Sequence, residues 1–376
     1  MTIMLTELLT KDEVDRATAS LESAWTLPPK AYISPDVFEL ERVKIFSNAW
    51  LCVAREEQLP NPGDYLSLDL IDQPVVLTRD RAGTLRALSR VCLHRAMPLV
   101  EGTGNVSRIV CPYHNWTYEL DGSLRSAPMM DGVTDFEPER CRLPELKLRV
   151  WEGFIFVNLA GERATDFDAQ TSGLRQALAD YRLADLVIAE TMEFNSPWNW
   201  KILVENFLEA YHHSGTHRET LQQTFPAKDA FVPDNDEQMW SLLRMPGNTQ
   251  PDATHSSFPD LDEAQRAELM AAAIFPMFLL ATSNEFALWF QLEPTRHDAM
   301  NLKIHVLMHP DMTAALTTES RAGLRDAITA VHIEDIAANE GPWKALHAPL
   351  TQQGRLSLHE KAIWQLNQYW LAQLEG

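Results

Sequence analysis

The chain has 376 residues, of which 45% are hydrophobic and 23% are charged, and its formal net charge is −21. The length allows two domains, and the composition is that of an ordinary globular protein. The acidic excess argues against binding to nucleic acid or to an anionic membrane. Four cysteines give little support to a disulfide framework. The acidic start and the lack of an 18-residue apolar run predict a cytoplasmic protein.

The first part of the chain predicts helices followed by an all-β region. Residues 4–24 are compatible with one or two helices, and Ser34-Pro35 opens a further helix that runs to about Asn48. Short runs rich in strand-forming residues then alternate with turn residues. The predicted strands are 50–54, 64–70, 74–78, 84–88, 108–111, 116–120 and 153–158.

The second part predicts a sheet with helices beside it. A polar helical stretch, 161–185, leads to a strand at 189–194 and a helix from Pro197 to about His213. The polar, proline-containing stretch 218–262 is predicted to be a long loop. Three adjacent strands and two long helices complete this part, at 273–283, 285–292, 301–309, 318–339 and 356–374.

Four potential metal ligands occur in two closely spaced pairs. Cys92 and His94 form a Cys-x-His pair, Cys111 and His114 form a Cys-x-x-His pair, and residues 95–110 separate the pairs. Zinc could accept the same atoms, but zinc sites usually pair cysteine with cysteine and histidine with histidine. One cysteine and one histidine on each arm favour a [2Fe–2S] cluster with Cys₂ on one iron and His₂ on the other, the Rieske arrangement.

A second group of ligand-type residues lies between 200 and 219. A mononuclear Fe(II) site needs two histidines and one carboxylate on one triangular face. His213 and His217 share a helical face, whereas His212 and His217 meet only if the helix ends between them, so local geometry leaves both pairs open. The carboxylate is either local, with Glu205 and Glu209 available, or distant. The best distant candidate is the pair Glu334-Asp335.

Three segments together resemble the catalytic α subunit of Rieske non-haem iron oxygenases. They read CLHR (92–95), CPYHNW (111–116) and NFLEAYHHSGTH (206–217). The likeness extends over nearly the whole chain in the family's order. It implies an N-terminal all-β Rieske domain (46–160) after a helical segment (1–45), and a C-terminal helix-grip catalytic domain (161–376).

The resemblance also assigns roles to individual residues. It implies that Cys92, His94, Cys111 and His114 hold the cluster. It further implies that His212, His217 and Asp335 hold the mononuclear iron, with Glu334 as the fallback for the third ligand. Glu209 stands where the family has a carboxylate that links the mononuclear-site histidine of one subunit to the second Rieske histidine of its neighbour.

Three positions depart from the usual family pattern. Ala96 and Asn115 stand where glycine is usual, and Glu209 stands where most members carry aspartate. A glutamate there resembles the branch that acts on quaternary ammonium compounds such as carnitine and choline. Trp198, Trp200 and Trp289 could form an aromatic cage for such a cation, although core positions are more usual. We expect His305 and His332 to be structural or exposed.

The predicted function is an oxygenase that hydroxylates or oxidatively demethylates a small organic substrate with O₂. Electrons would come from NAD(P)H through a separate reductase, with or without a ferredoxin, since the sequence lacks a dinucleotide-binding motif. The family implies a homotrimer. One alternative is an aromatic-ring cis-dihydroxylating dioxygenase, and another is a Rieske electron carrier without catalytic iron. The sequence does not name the substrate.

Overall fold

The computed structural model describes residues 4–235, 238–249 and 256–375. The chain forms two compact units. The small unit is Ser47–Thr165, and the large unit combines Met1–Phe46 with Asp166–Gly376. The predicted α+β class, with a β-rich domain ahead of a sheet-and-helix domain, is confirmed. Among the described residues, no helix combines the length and the apolar character needed to cross a bilayer.

The small unit contains two antiparallel sheets. The larger sheet has the strand order β1-β10-β9-β4-β3-β2-β5, and the smaller has the order β6-β7-β8. The predicted strands all appear within this arrangement, whereas β5, β8 and β9 were missed. The strands are β1 (Trp50–Arg55), β2 (Asp64–Leu70), β3 (Gln73–Arg79), β4 (Leu85–Ser89), β5 (Thr103–Asn105), β6 (Ile109–Val110), β7 (Thr117–Tyr118), β8 (Leu124–Ser126), β9 (Glu145–Trp151) and β10 (Phe154–Asn158).

The large unit is built on a six-stranded antiparallel sheet of order β11-β16-β15-β14-β13-β12. Long strands at its centre pair over many residues, and inward-facing apolar side chains make its core. The strands are β11 (Val187–Ser196), β12 (Trp240–Pro246), β13 (Glu268–Ile274), β14 (Phe278–Thr282), β15 (Ala287–Arg296) and β16 (Ala299–Met308).

The large unit also contains α-helices, which are joined by turns and loops. Ser34 caps the helix that has Pro35 at its first position, as predicted, and Thr317 caps the longest helix. The helices are α1 (Leu5–Leu8), α2 (Lys11–Ala17), α3 (Lys30–Ile33), α4 (Pro35–Glu41), α5 (Phe167–Gln170), α6 (Ser172–Ala177), α7 (Trp200–Phe207), α8 (Leu221–Thr224), α9 (Glu263–Ala267), α10 (Pro310–Ala315), α11 (Thr318–Leu346) and α12 (Lys361–Glu375).

Two predictions for the 218–283 region are wrong. The stretch 218–262 is not one long loop, because β12 lies within it and pairs along its length with β13. Residues 273–283, predicted as a single strand, belong instead to two strands, β13 and β14, with Pro276 between them. Proline cannot donate a ladder hydrogen bond, and here it lies in the turn between two antiparallel strands, of which Ile274 and Phe278 are the last pair. Residues 236–237 and 250–255 of the predicted loop lie outside the described residues.

The predicted helix from Pro197 to His213 is also wrong at its end. Helix α7 stops at Phe207, and the chain then enters a separate short turn of 3₁₀-helix, Tyr211–Ser214. The Glu209 carboxylate accepts a hydrogen bond from the His212 N–H at 2.9 Å. A side chain that takes a backbone donor offers the chain an alternative to helical pairing. This break, rather than Ser214-Gly215 alone, turns the following histidines toward one another.

Candidate functional site

The two cysteines of the predicted cluster begin loops with the same hydrogen-bond pattern. The N–H four residues on, at Ala96 and Asn115, donates to the Cys92 and Cys111 carbonyls at 3.1 and 3.0 Å. Each cysteine N–H donates in turn to the carbonyl five residues on, at 2.9 and 2.8 Å. The two loops therefore present their Cys and His side chains from equivalent backbone turns.

Both loops turn through a residue with positive φ. The φ angles are 53° at Ala96 and 58° at Asn115, the two positions where the family usually has glycine. Glycine adopts this left-handed conformation without a steric penalty, and asparagine tolerates it better than alanine does. The positive φ thus explains why glycine is usual at both positions. This chain keeps the same turns without glycine, and Ala96 is the more strained of the two residues.

The side chains carried by these loops fit a [2Fe–2S] cluster. Both thiols, Cys92 and Cys111, are free and buried, and the ring centroids of His94 and His114 lie 4.7 Å apart. His94 also stacks on Trp116 at 4.9 Å with nearly parallel planes. The Nδ1 atom of His114 is shielded from solvent and has no hydrogen-bond partner in the described part of the chain. Buried nitrogen atoms normally have partners, and a metal bond would supply one here.

Tyr118 is a contact of the cluster site that the sequence did not reveal. Its hydroxyl accepts a hydrogen bond from the Leu93 N–H at 3.0 Å and lies 3.3 Å from the Cys92 sulfur, to which it can donate. Burial raises the pKa of Tyr118, so the hydroxyl keeps its proton. Hydrogen bonds to ligand sulfurs are one of the levers on a cluster's reduction potential. Only its position after the second ligand loop could have pointed to it.

In the large unit, the structure brings His212, His217 and Asp335 together. Their ligand atoms all lie within 4.8 Å of one another. An Asp335 carboxylate oxygen is 2.9 Å from His217 Nε2 and 3.7 Å from His212 Nε2. Two imidazoles and one carboxylate that converge from one side suit a mononuclear Fe(II) centre with open positions for O₂ and substrate.

A carboxylate holds the outer nitrogen of each of these histidines. His212 Nδ1 donates to Glu209 at 2.5 Å, and His217 Nδ1 donates to Glu334 at 2.6 Å. Thr220 donates to the same oxygen of Glu334 at 2.8 Å. With the proton on Nδ1, each imidazole keeps the Nε2 lone pair for a metal. Glu334, the predicted fallback ligand, therefore lies behind His217, whereas Asp335 faces both Nε2 atoms.

The pKa of His217 reflects both burial and these carboxylates. Its side chain is 1% exposed, and burial alone would lower the pKa. The hydrogen bonds and charges of Asp335 and Glu334 outweigh burial, so the pKa of His217 lies above its usual value. Burial also acts on Glu334 by raising its pKa, but the bonds from His217 and Thr220 prevail and hold that pKa below its usual value.

His213, the rival member of the pair that local geometry left open, has a different role in the structure. It is buried, and its Nδ1 lies 3.1 Å from the Phe225 carbonyl, to which it can donate. Burial lowers the pKa of His213 to about 4, with a smaller opposing effect from that carbonyl. A neutral, backbone-bonded imidazole of this kind positions the segment next to the three ligand-type residues.

A cavity of about 630 Å³ adjoins the three converging side chains. Its walls are mostly apolar and come from the sheet, from α11 and from the segment after α7. The phenylalanines in the wall are Phe207, Phe225, Phe286 and Phe290, and the other polar lining residues include Asn206, Ser283, Glu285, Ser320 and His332.

The hypothesis of a tryptophan cage is wrong. Trp198, Trp200 and Trp289 are fully buried core residues, and none of them lines this cavity. The Trp200 indole donates to buried Glu41, and Trp289 stacks on His305. Apolar rings at such spacing pack inside the domain, because burying a large aromatic surface stabilises it.

Comparison with known families agrees with this description. The family of ring hydroxylating alpha subunits (catalytic domain) matches residues 183–376, slightly more than half of the chain. The Rieske [2Fe-2S] domain family matches residues 49–137. The chain therefore belongs to the ring hydroxylating alpha subunit family, and the predicted pair of cofactors, a Rieske cluster and a mononuclear iron, is confirmed at the level of these domains.

Among curated proteins, the chain is similar to quaternary-ammonium oxygenase subunits. It is 38% identical over 202 residues to the carnitine monooxygenase oxygenase subunit of Acinetobacter baumannii, a match that covers 53% of this chain and 54% of that protein. It is 35% identical over 209 residues to the glycine betaine monooxygenase oxygenase subunit of Chromohalobacter salexigens, covering 55% and 46%. The matches thus span about half the length of these relatives.

Solved structures match over nearly the whole chain. The quaternary ammonium Rieske monooxygenase CntA gives a TM-score of 0.82 at 26% identity, covering 98% of this chain and 99% of that one. Naphthalene 1,2-dioxygenase from Rhodococcus sp. gives a TM-score of 0.80 at 19% identity, covering 98% and 99%, which shows a shared fold.

Proposed function

We propose that this chain is the oxygenase component of a Rieske monooxygenase system that oxidises a small quaternary ammonium compound. The observation that carries the proposal is the convergence of His212, His217 and Asp335 beside a mostly apolar cavity. A Rieske electron carrier would need neither feature. The carnitine and glycine betaine relatives support the substrate class.

In this proposal, the chain's own residues hold and orient the two metal centres. Cys92, His94, Cys111 and His114 would hold the [2Fe–2S] cluster within a domain near residues 46–160. His212, His217 and Asp335 would hold the iron within a domain near residues 161–376. When bound, the iron supplies activation of O₂ for insertion of oxygen into a C–H bond.

The outer carboxylates have separate duties. Glu209 and Glu334 keep each proton on Nδ1, so that Nε2 stays available for the metal. Glu209 is also the group that we propose links His212 to His114 of a neighbouring subunit in a trimer. Electrons would enter from a separate reductase, directly or through a ferredoxin. The cytoplasmic location stays a prediction.

Metal analysis combined with a substrate screen tests this function. Anaerobically purified protein should contain about three irons and two acid-labile sulfides per chain, with a Rieske-type EPR signal after reduction by dithionite. Zinc without sulfide would contradict the proposal. Two irons without rescue by added Fe(II) would point to an electron carrier.

The screen uses ¹⁸O₂, NADH and the reductase of a Rieske oxygenase system, and it tests two sets of compounds. The quaternary amines are L-carnitine, gamma-butyrobetaine, glycine betaine and choline, and the aromatic compounds are naphthalene and indole. We expect oxygen uptake coupled to a quaternary amine, with one labelled atom inserted. A cis-diol with two labelled atoms from an aromatic compound would instead support the dioxygenase alternative.

A further inference from the structure

One face of α11 runs along the cavity wall as far as the metal-ligand residues. The face repeats at the spacing of an α-helix and consists of Ser320, Leu324, Ala327, Ile328, Val331, His332 and Asp335. His332 precedes Asp335 by one turn, so the two side chains lie about 4.5 Å apart along the helix axis. Of this face, His332 is the polar member next to the proposed iron site.

His332 is buried without a hydrogen bond. Its side chain is 3% exposed, and its Nε2 atom is shielded from solvent with no partner within the described residues. The ring packs against Phe194, with centroids 4.3 Å apart. A buried polar nitrogen without a partner costs free energy, which a structural histidine would avoid by bonding a carbonyl, as His213 does.

The charge state of this imidazole suits a neutral hydrogen bond. Burial lowers the pKa of His332, and the charge of Asp335, the titratable group that acts on it, offsets this only in part. The ring is therefore neutral near pH 7, with one nitrogen able to donate and the other able to accept. A hydroxyl group on a molecule in the adjoining cavity would satisfy this ring once a ring nitrogen turns toward the cavity.

We propose that His332 is a substrate-positioning residue, which hydrogen-bonds a hydroxyl group of the substrate close to the carbon that is oxidised. The assignment rests on the proposed oxygenase function and narrows the substrate class. The substrate has an apolar body that matches the walls, and it carries an oxygen-bearing group one helical turn from the iron. Because a fixed group near the reacting carbon limits its orientation, His332 would set which C–H bond is presented.

Binding of matched probe pairs to the reduced holoenzyme without O₂ tests this assignment. L-carnitine differs from gamma-butyrobetaine, and benzyl alcohol from toluene, by a single hydroxyl group. Calorimetric titration of the wild type should give about fivefold tighter binding of the hydroxylated member in at least one pair, the size of one net hydrogen bond. His332→Phe should abolish this preference, and His332→Gln, which keeps a polar end, should restore at least part of it.

If His332 served only to maintain the fold, replacing it would change metal content or the binding of all probes alike, whereas the proposal predicts a change in the hydroxyl preference alone. Iron content and the Rieske spectrum should be unchanged in both variants, and in turnover the loss should appear in KM more than in kcat. His347→Phe, at an exposed position after the same helix, is the matched control and should bind both pairs as the wild type does.

The inference is overturned if His332→Phe keeps the hydroxyl preference, or if the wild type binds no probe or shows no preference. Failure of the proposed function looks different. A holoenzyme that prefers benzyl alcohol through His332 but oxidises no quaternary amine would retain this inference and lose the substrate assignment.

Discussion

The two regions that carry ligand-type residues are built on opposite principles. In the small unit, the four ligands lie between Cys92 and His114, on two loops whose backbone turns are equivalent. In the large unit, His217 and Asp335 are 118 residues apart and meet only through the fold. Backbone hydrogen bonds shape the first site, whereas Glu209 and Glu334 orient the second. The ligands of a site built from local loops can be recognised from their spacing in the sequence. The ligands of a site built from distant elements can be recognised only in part.

The largest expected effect separates a ligand from the residue behind a ligand. Asp335→Ala should lose most of the mononuclear iron, because it removes the carboxylate that faces both Nε2 atoms. Glu334→Ala, its neighbour, should weaken iron binding only about tenfold by freeing His217 Nδ1. Fe(II) titration with metal analysis measures both, and the Rieske spectrum should persist throughout. Full iron occupancy in Asp335→Ala, with loss in Glu334→Ala, would exchange the two roles.

The next effect tests whether the two regions communicate through Glu209. With Fe(II) supplied in excess, so that both metal centres stay loaded, Glu209→Ala should lower turnover by about 100-fold, because the proposed link from His212 to His114 of the neighbouring subunit is lost. Product formation per chain, measured beside iron and sulfide content, gives the answer. Glu219→Ala, at an exposed acid of the same segment, is the control and should retain normal turnover. Near-normal product formation in Glu209→Ala would remove the proposed bridge.

The candidate cluster ligands could be proposed from the sequence because their spacing is local, and the structure places them on two loops with equivalent backbone turns. Local helix geometry could not choose between His212 and His213. Helix α7 ends at Phe207, and the Glu209 carboxylate accepts a hydrogen bond from the His212 N–H in the break that follows. The sequence could not separate Glu334 from Asp335 by pattern alone. Adjacent helical residues point about 100° apart, and only packing decides which of them faces the histidines.

Other features depended on the surroundings in the fold. The sequence was compatible with Trp289 in a cavity wall. In the structure, Trp289 lies in the core and stacks on His305. His332 was expected to be structural or exposed, yet it lines the cavity. Strand β12 was hidden in a polar, proline-containing stretch, because its pairing with β13 is a tertiary contact.

A smaller effect concerns Glu205, a titratable group of the large unit outside the ligand set. Tyr32 donates to its carboxylate at 2.7 Å. Burial raises the pKa of Glu205 to about 7, and the charge of Glu360 adds to this, while Tyr32 and Lys201 lower it in part. The folded state therefore keeps a proton that the unfolded chain releases above its lower pKa. The stability that this proton supplies is lost as the pH rises toward about 7.

Glu205→Gln should remove this loss. The wild type should lose at most about 3 kcal/mol in free energy of unfolding across that range, since one pKa unit corresponds to about 1.4 kcal/mol. Urea unfolding of the full chain at about pH 5 and about pH 7.5, followed by tryptophan fluorescence, measures the difference. Glu219→Gln should behave as the wild type does. Equal pH dependence in wild type and Glu205→Gln would show that the carboxyl is ionised in the folded protein throughout.

The smallest expected effect lies in the small unit and tests whether its loops are as locally determined as their hydrogen bonds indicate. Ala96→Gly should stabilise the unit by about 1 kcal/mol, because glycine adopts the φ of 53° without the clash that alanine suffers. Thermal loss of the visible circular dichroism of the Rieske cluster in the full chain should then shift upward by about 3 °C. Asn115→Gly should shift it less, since asparagine tolerates this conformation. An unchanged or lower midpoint for Ala96→Gly would mean that contacts of the Ala96 methyl group, rather than the backbone turn, set the stability of this loop.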